Sequence, residues 1–265
     1  MRFEKLKFKK LNNVRDLGGL PAEDGKTVCC GKLVRSAKPY KLPKKTVQGL
    51  KEYGLTAMVD TRTPKECEEK PCTKIEGVKY VNIPLVGMAT PAITHEKSSV
   101  KTFMAETKRI KTEFGNADNY MKRVYEIILF DEDSRKRIKS FFELLLEEEG
   151  CVLWFCNQGK DRTGILAMLL EWILGVDEEI IVEDFVASAL FMKRRRRLQK
   201  LSVHITPAPS SIKQMILALL NVKPQYITGA MESIKQEYGN IENYFTKALN
   251  ISEEQIQQLK NKYLQ

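Results

Sequence analysis

The chain has 265 residues, 43% hydrophobic and 29% charged, a composition that suits one large globular domain and excludes collagen-like, solenoid and disordered classes. Its formal charge of +10 is uneven: residues 1–50 carry 13 Lys and Arg against 4 Asp and Glu, and Lys193-Arg194-Arg195-Arg196-Arg197 forms a second basic knot. Such a balance concentrates anionic partners, whether phosphorylated substrates, nucleic acid or acidic membrane surfaces, and by itself selects none of them.

Taken in chain order, Met1-Arg2-Phe3-Glu4-Lys5-Leu6-Lys7 alternates charged and apolar residues and lacks the continuous apolar core of a secretory signal, so a cytoplasmic chain is expected, with export by a signal-less route left open. Short β-rich runs at Leu33 to Ser36, Thr56 to Asp60, Lys79 to Ile83 and Cys151 to Phe155 alternate with helix-like stretches at Lys44 to Tyr53, Ala117 to Leu129 and Ser134 to Glu148. This alternation predicts an α/β fold: a mostly parallel central sheet flanked by helices, with a helical insertion at about 86–130. Tyr120, Met121, Tyr125 and Phe130 of that insertion read as core packing rather than pocket lining. From Asp161 to Leu174 apolar residues cover most of a helix surface, which predicts a buried helix stopped by Gly175. Its apolar runs, broken by Glu171, fall short of the roughly 20 residues of a membrane span.

Beyond residue 177 the pattern is helical throughout, at Asp177 to Leu190, Ser210 to Leu220, Pro224 to Tyr238, Ile241 to Leu249 and Glu253 to Leu264, with Pro207, Pro209, Pro224, Gly239 and Asn250 as breakers. The basic run from Lys193 reads as a solvated face, with an electrostatic collar for acidic membranes as its alternative. Without repeats or linkers, the whole of 1–265 is expected to be one domain, an α/β core over 1–176 followed by a helical part over 177–265. The six cysteines form no C-x-x-C pair and no zinc ligand set with His95 and His204, so each is expected as a free thiol, Cys151 as core and Cys29-Cys30 as inert.

The stretch that carries chemistry runs from Val152 to Ile165: an apolar strand, a polar loop beginning at Cys156, then the buried helix. Cys156 and Arg162 stand at its two ends with Asn157, Gln158, Gly159, Lys160 and Asp161 between them. A loop of this length at a strand-to-helix turn can curl its backbone N–H groups around a tetrahedral oxyanion, and the helix N-terminus adds partial positive charge. A free cysteine titrates near ~8.5, and such surroundings lower it to ~3.5–7.5, so Cys156 is expected as a thiolate. Arg162 offers a planar fork that can grip two phosphoryl oxygens and tighten on the transition state. Gly159 admits close approach of backbone to the anion, and Thr163 can donate to the thiolate or cap the helix.

A nucleotide-binding Walker loop is excluded, because its first glycine would fall at Trp154 and its Ser or Thr at Asp161. A filler cysteine that happens to precede a charged helix start is the bland alternative. The strand before, Gly159 within and Thr163-Gly164 after outweigh it.

Cys156-x5-Arg162-Thr163-Gly164 is the signature of the cysteine-dependent phosphatases, and Gly159-Lys160-Asp161-Arg162-Thr163-Gly164 resembles the atypical bacterial tyrosine-protein phosphatases, a family that includes phosphoinositide-hydrolysing members. Asn13-Val14-Arg15-Asp16-Leu17-Gly18-Gly19, Leu33-Val34-Arg35-Ser36, Val59-Asp60-Thr61-Arg62 with Glu66, Tyr238-Gly239-Asn240 through Tyr244, and Ile251-Ser252-Glu253-Glu254 are similar to further segments of that family, with residues 86–115 least so. The family usually carries a histidine immediately before the nucleophile, expected to orient the loop and help keep the thiolate; this chain has Phe155.

The resemblance implies a cysteine-dependent phosphatase fold and two displacements at phosphorus through a phosphocysteine, with no metal or cofactor required. A carboxylic acid should protonate the leaving oxygen. Asp161, inside the loop, is the first candidate, with a helix N-cap as its alternative role, and Asp60, at a strand end on the same sheet edge, is the second. Lys160 either faces solvent or contacts a second phosphate. Asp16, Arg15, Arg35 and an Arg62–Glu66 pair read as ion-pair scaffolding.

The expected substrate is phosphotyrosine on proteins. Alternatives are phosphoinositides or inositol phosphates, and a catalytically weak phosphate-binding module. Nucleic acid is disfavoured, since no reader motif or aromatic stacking set accompanies the basic patch.

Overall fold

The computed structural model describes residue 3 and residues 6–85, 108–205 and 209–265, and the side chains within them except at 194–196, 199, 202 and 211. Residues 86–107 of the expected insertion therefore lie outside the described residues.

Five strands form one sheet: β1 Arg15–Asp16, β2 Leu33–Ala37, β3 Leu55–Asp60, β4 Lys79–Asn82 and β5 Cys151–Cys156. Their order is β1-β2-β5-β3-β4, with β1 antiparallel to β2 and every other pairing parallel, as the strand–helix alternation predicts. The strand ending in Cys156 is thus the central one. Register pairs Ala37 with Cys156 and Asp60 with Phe155, so three strands deliver their last residues to a single edge. In such sheets the carboxyl edge, where connections diverge to either side, is where ligands are held.

Alternation along β5 assigns its two faces. Val152 and Trp154 enter the larger core with Leu33, Ala57 and Val59 of the neighbouring strands, while Leu153 and Phe155 enter a smaller cluster with Val34, Met58 and Leu50. Helix α1 Lys44–Glu52 connects β2 to β3, α2 Pro64–Glu69 connects β3 to β4, and α3 Ala117–Phe130 and α4 Glu132–Glu147 precede β5. Tyr120, Met121 and Tyr125 of α3 are buried in the larger core, with Phe130 packed against it.

Helix α5, Asp161–Ile173, leaves the loop and is buried on nearly every side, which is why its sequence is apolar all round. Gly164 lies where a Cβ would meet the Phe185 ring at 3.0 Å, so its missing side chain lets the next helix pack closely. That helix is α6, Glu178–Phe191, followed by α7 Lys193–Ile205, α8 Ser210–Leu220, α9 Pro224–Tyr238, a helical segment at Ile241–Asn243 continuing as a π-helical turn at Tyr244–Ala248, and α10 Glu253–Tyr263. The run beginning at Lys193 is therefore a helix in its own right. No helix among the described residues is long and apolar enough to cross a membrane.

Among the elements that the sequence reading did not name, two lie beside the site. Two consecutive charged residues, Arg15 and Asp16, do not look like a strand, yet both are buried in one. Helix α2 is short, but Thr63-Pro64-Lys65-Glu66 is a legible capping box: Glu66 N–H donates to Thr63 Oγ1 at 3.2 Å and Thr63 N–H to Glu66 Oε2 at 2.8 Å.

Candidate active site

Cys156 closes β5 and is 3% exposed; Arg162, in the first turn of α5, is 1% exposed. The intervening loop is held from behind by the Asn13 amide, which donates to the carbonyls of Gln158 at 3.1 Å and Gly159 at 2.8 Å, and by Arg35 Nη2, 3.3 Å from the latter. In a trans peptide the following N–H points opposite to the carbonyl, so these bonds turn the Gly159 and Lys160 N–H groups to the side away from Asn13. Gly159 has φ +65, and a Cβ there would lie 2.3 Å from Ser36 O. Only glycine lets the loop lean this closely on β2.

The Arg162 fork is held by Glu66, Nη1 to Oε2 at 2.7 Å and Nη2 to Oε1 at 3.0 Å, with Nη1 also 3.3 Å from Thr61 O. Burial alone would lower the guanidinium pKa; the Glu66 carboxylate and the Cys156 sulfur hold it above its ordinary value. Glu66 also accepts from the Asn157 amide, and Lys38 Nζ donates to Asn157 Oδ1 at 2.8 Å. One carboxylate from α2 therefore fixes both the second and the seventh residue of the loop.

The scaffolding arginines exchange the partners that the sequence suggested. Arg62 pairs with Asp60, Nε to Oδ1 at 2.8 Å and Nη2 to Oδ2 at 2.6 Å, and only its Nη1 reaches Glu66, at the backbone carbonyl, 3.5 Å away. The expected Arg62–Glu66 side-chain pair is corrected to Arg62–Asp60 and Arg162–Glu66, because Arg62 folds back on Asp60, two residues before it at the end of β3, and α2 turns Glu66 inward. Asp60 is fully buried and also accepts from Tyr80 Oη at 3.0 Å, so its carboxylate is committed to the sheet edge.

Asp161 is partly exposed and accepts from Tyr125 Oη at 2.8 Å. The cap position of α5 is Lys160, with no side-chain cap bond, so the N-cap alternative for Asp161 is not adopted. Burial and the Asp161 charge hold the Tyr125 hydroxyl well above its ordinary pKa, so it serves as a donor.

Lys160 does not face solvent: 2% exposed, its ammonium lies 2.9 Å from Leu219 O, 3.1 Å from Asn221 O and 3.4 Å from Asp161 Oδ2. It thus stops the C-terminal end of α8, where unpaired carbonyls favour a cation. Thr163 Oγ1 is buried with no hydrogen-bond partner among the described residues, while its carbonyl accepts from Trp154 Nε1 at 3.1 Å. Phe155, in place of the family's histidine, is buried with its ring 5.6 Å from the Arg62 guanidinium.

A second ionic cluster lies behind the loop. Asp184 of α6 accepts from Arg15 Nε at 2.5 Å and from Arg35 Nη1, and Arg15 Nη1 donates to Asn13 Oδ1 at 2.7 Å. Against burial, which raises it, the two arginines keep the Asp184 pKa low. The neighbouring Glu171 is pushed well above the usual carboxyl range by burial and by the Asp184 charge, both of which favour its protonated form. Neither acid is flagged by a motif: Glu171 lies within α5 itself and Asp184 in the helix that follows. The six cysteines are all free thiols, and burial pushes Cys151 up to about 12, as suits a core residue.

A model described as a tyrosine phosphatase family matches residues 6–265. A Cupriavidus necator protein named as a candidate tyrosine-protein phosphatase is 27% identical over 261 residues, covering 98% of this chain and 88% of that protein. The triple specificity protein phosphatase PtpB of Mycobacterium tuberculosis is 23% identical over 241 residues, covering 82% of this chain and 86% of that one. Among solved structures, P. aeruginosa TpbA in complex with pTyr is similar at 15% identity and a TM-score of 0.32, covering 74% of this chain and 90% of that chain.

Proposed function

The chain belongs to the tyrosine phosphatase family, and from that premise we propose that it hydrolyses phosphomonoesters through a phosphocysteine on Cys156, with phosphotyrosine in proteins as its first substrate class. The observation that carries this reading is the buried Arg162 fork, oriented by Glu66 at the end of the loop that Cys156 begins. The sulfur attacks phosphorus as the ester P–O bond breaks, Arg162 and the loop N–H groups take the charge gathering on the phosphoryl oxygens, and the leaving oxygen receives a proton. Water then attacks phosphorus, the P–S bond breaks, and phosphate leaves with the thiolate restored.

For the proton donor we propose Asp161, since Asp60 is engaged by Arg62 while Asp161 is partly exposed at the loop. Tyr125 would orient its carboxyl. The second reading, phosphoinositides or inositol phosphates, is favoured by Lys38, which brings a further cation to within 2.8 Å of the loop side chain Asn157.

Turnover of p-nitrophenyl phosphate, a phosphotyrosine peptide and phosphoinositide micelles, measured without added metal for wild type and Cys156→Ser, tests the assignment. Hydrolysis of the peptide lost in Cys156→Ser supports it; hydrolysis of lipid alone transfers the assignment to the second reading. Phosphate binding without turnover would make the chain a binding module. For Asp161→Asn, loss should be greater on esters with poor leaving groups, and equal loss on good and poor ones would remove Asp161 from the donor role.

A further inference from the structure

Helix α7 presents an amphipathic surface whose aliphatic side is exposed. Of the five exposed large hydrophobic side chains among the described residues, four lie within 190–205: Leu190 at 56% exposure, Leu198 at 68%, Leu201 at 58% and Ile205 at 76%. Leu198, Leu201 and Ile205 follow helical spacing along one stripe, while Val203, on the opposite side, is buried. Flanking the stripe, Lys193 and Arg197 are exposed and Lys200 is half-buried. Between Asp184 and Glu232 the chain holds eight Lys and Arg and not one Asp or Glu. Lys223 is paired with Asp118, so the cations left to this face are those of the run from Lys193 to Lys200, which no acidic residue interrupts along the chain.

We infer that α7 docks flat on an anionic lipid bilayer, its aliphatic stripe entering the interface and its cations meeting the acidic headgroups. An aliphatic stripe combined with an acid-free cationic flank is what such a surface rewards. Nucleic acid would satisfy the charge and leave the leucines in water. This inference goes beyond the catalytic reading and stands whichever phosphomonoester is hydrolysed.

The test is flotation of the full chain with vesicles of phosphatidylcholine alone and with about a third phosphatidylserine. Wild type should float with the anionic vesicles only, and less as salt is added. Leu198→Ser/Leu201→Ser/Ile205→Ser should weaken partitioning by roughly tenfold or more, while hydrolysis of p-nitrophenyl phosphate in solution, which reports a folded enzyme, stays unchanged. Lys193→Glu/Arg197→Glu should weaken it independently. Three results would overturn the inference: no flotation of wild type at low salt, a triple variant that floats as well as wild type, or binding to single-stranded RNA that the triple variant retains while vesicle binding is absent.

Discussion

Two guanidinium–carboxylate clusters flank the loop, and they work differently. In front, Glu66 grips Arg162 and Asn157, so its carboxylate orients the group proposed to touch the phosphoryl oxygens. Behind, Asp184 collects Arg15 and Arg35, whose reach to the loop ends at Asn13 Oδ1 and Gly159 O. All of these side chains are buried, so both clusters must be paired to be tolerated at all. The front cluster holds a functional group in a fixed direction, whereas the rear one holds backbone. Loss at the front should therefore appear in rates and loss at the rear in stability.

The sharpest way to break this contrast is Asp184→Asn, which leaves two buried arginines without their counter-charge. It should cost about 3–5 kcal/mol of stability, read by urea unfolding, while the protein that remains folded keeps kcat within a few-fold of wild type. A variant with unchanged stability and abolished kcat would reverse the roles assigned to the clusters. Arg162→Lys, at the front, should do the opposite: kcat/KM falls by about 10²–10³ as bidentate transition-state contact is lost, with the unfolding midpoint little moved.

Glu66→Gln should fall between these, with kcat lowered about 10–100-fold because the fork is no longer held in its plane. Partial rescue by Glu66→Asp would argue for orientation rather than bulk. An effect of pH rather than of rate is expected at Glu171, whose pKa is raised in the folded protein. Below the ordinary carboxyl pKa both states are protonated. Above it the unfolded chain loses the proton that the folded chain keeps, so stability falls as pH rises, by up to about 1.4 kcal/mol per unit, until the folded group also ionises. Glu171→Gln should flatten that decline and raise Tm more at pH 8 than at pH 5; parallel curves would mean that Glu171 is not neutral in the fold.

Four sequence-read strands and the buried helix after the loop formed within a residue or two of where hydrophobic periodicity placed them, because each is defined by its own neighbours. Cys156, Gly159 and Arg162 were legible for the same reason: a contiguous loop between a strand and a helix has few ways to turn. Glu66 was legible as an ion-pair residue but was matched to Arg62, and nothing in its capping box, which announces a helix start, says that the carboxylate faces Arg162. Lys160 shows the limit of local reading, since its ammonium goes to carbonyls 59 and 61 residues onward.

The sequence by itself thus determined which residues share the loop, which runs become strands, and that α5 is buried. Tertiary structure alone decided who neutralises whom. Arg162 meets Glu66 across 96 residues and Arg15 meets Asp184 across 169, contacts set by strand order and helix docking rather than by spacing. The same packing buries Val203 and leaves Leu198, Leu201 and Ile205 outside. A side chain's charge and shape are written locally, but the field and the neighbours that give it a role exist only once distant segments are brought together.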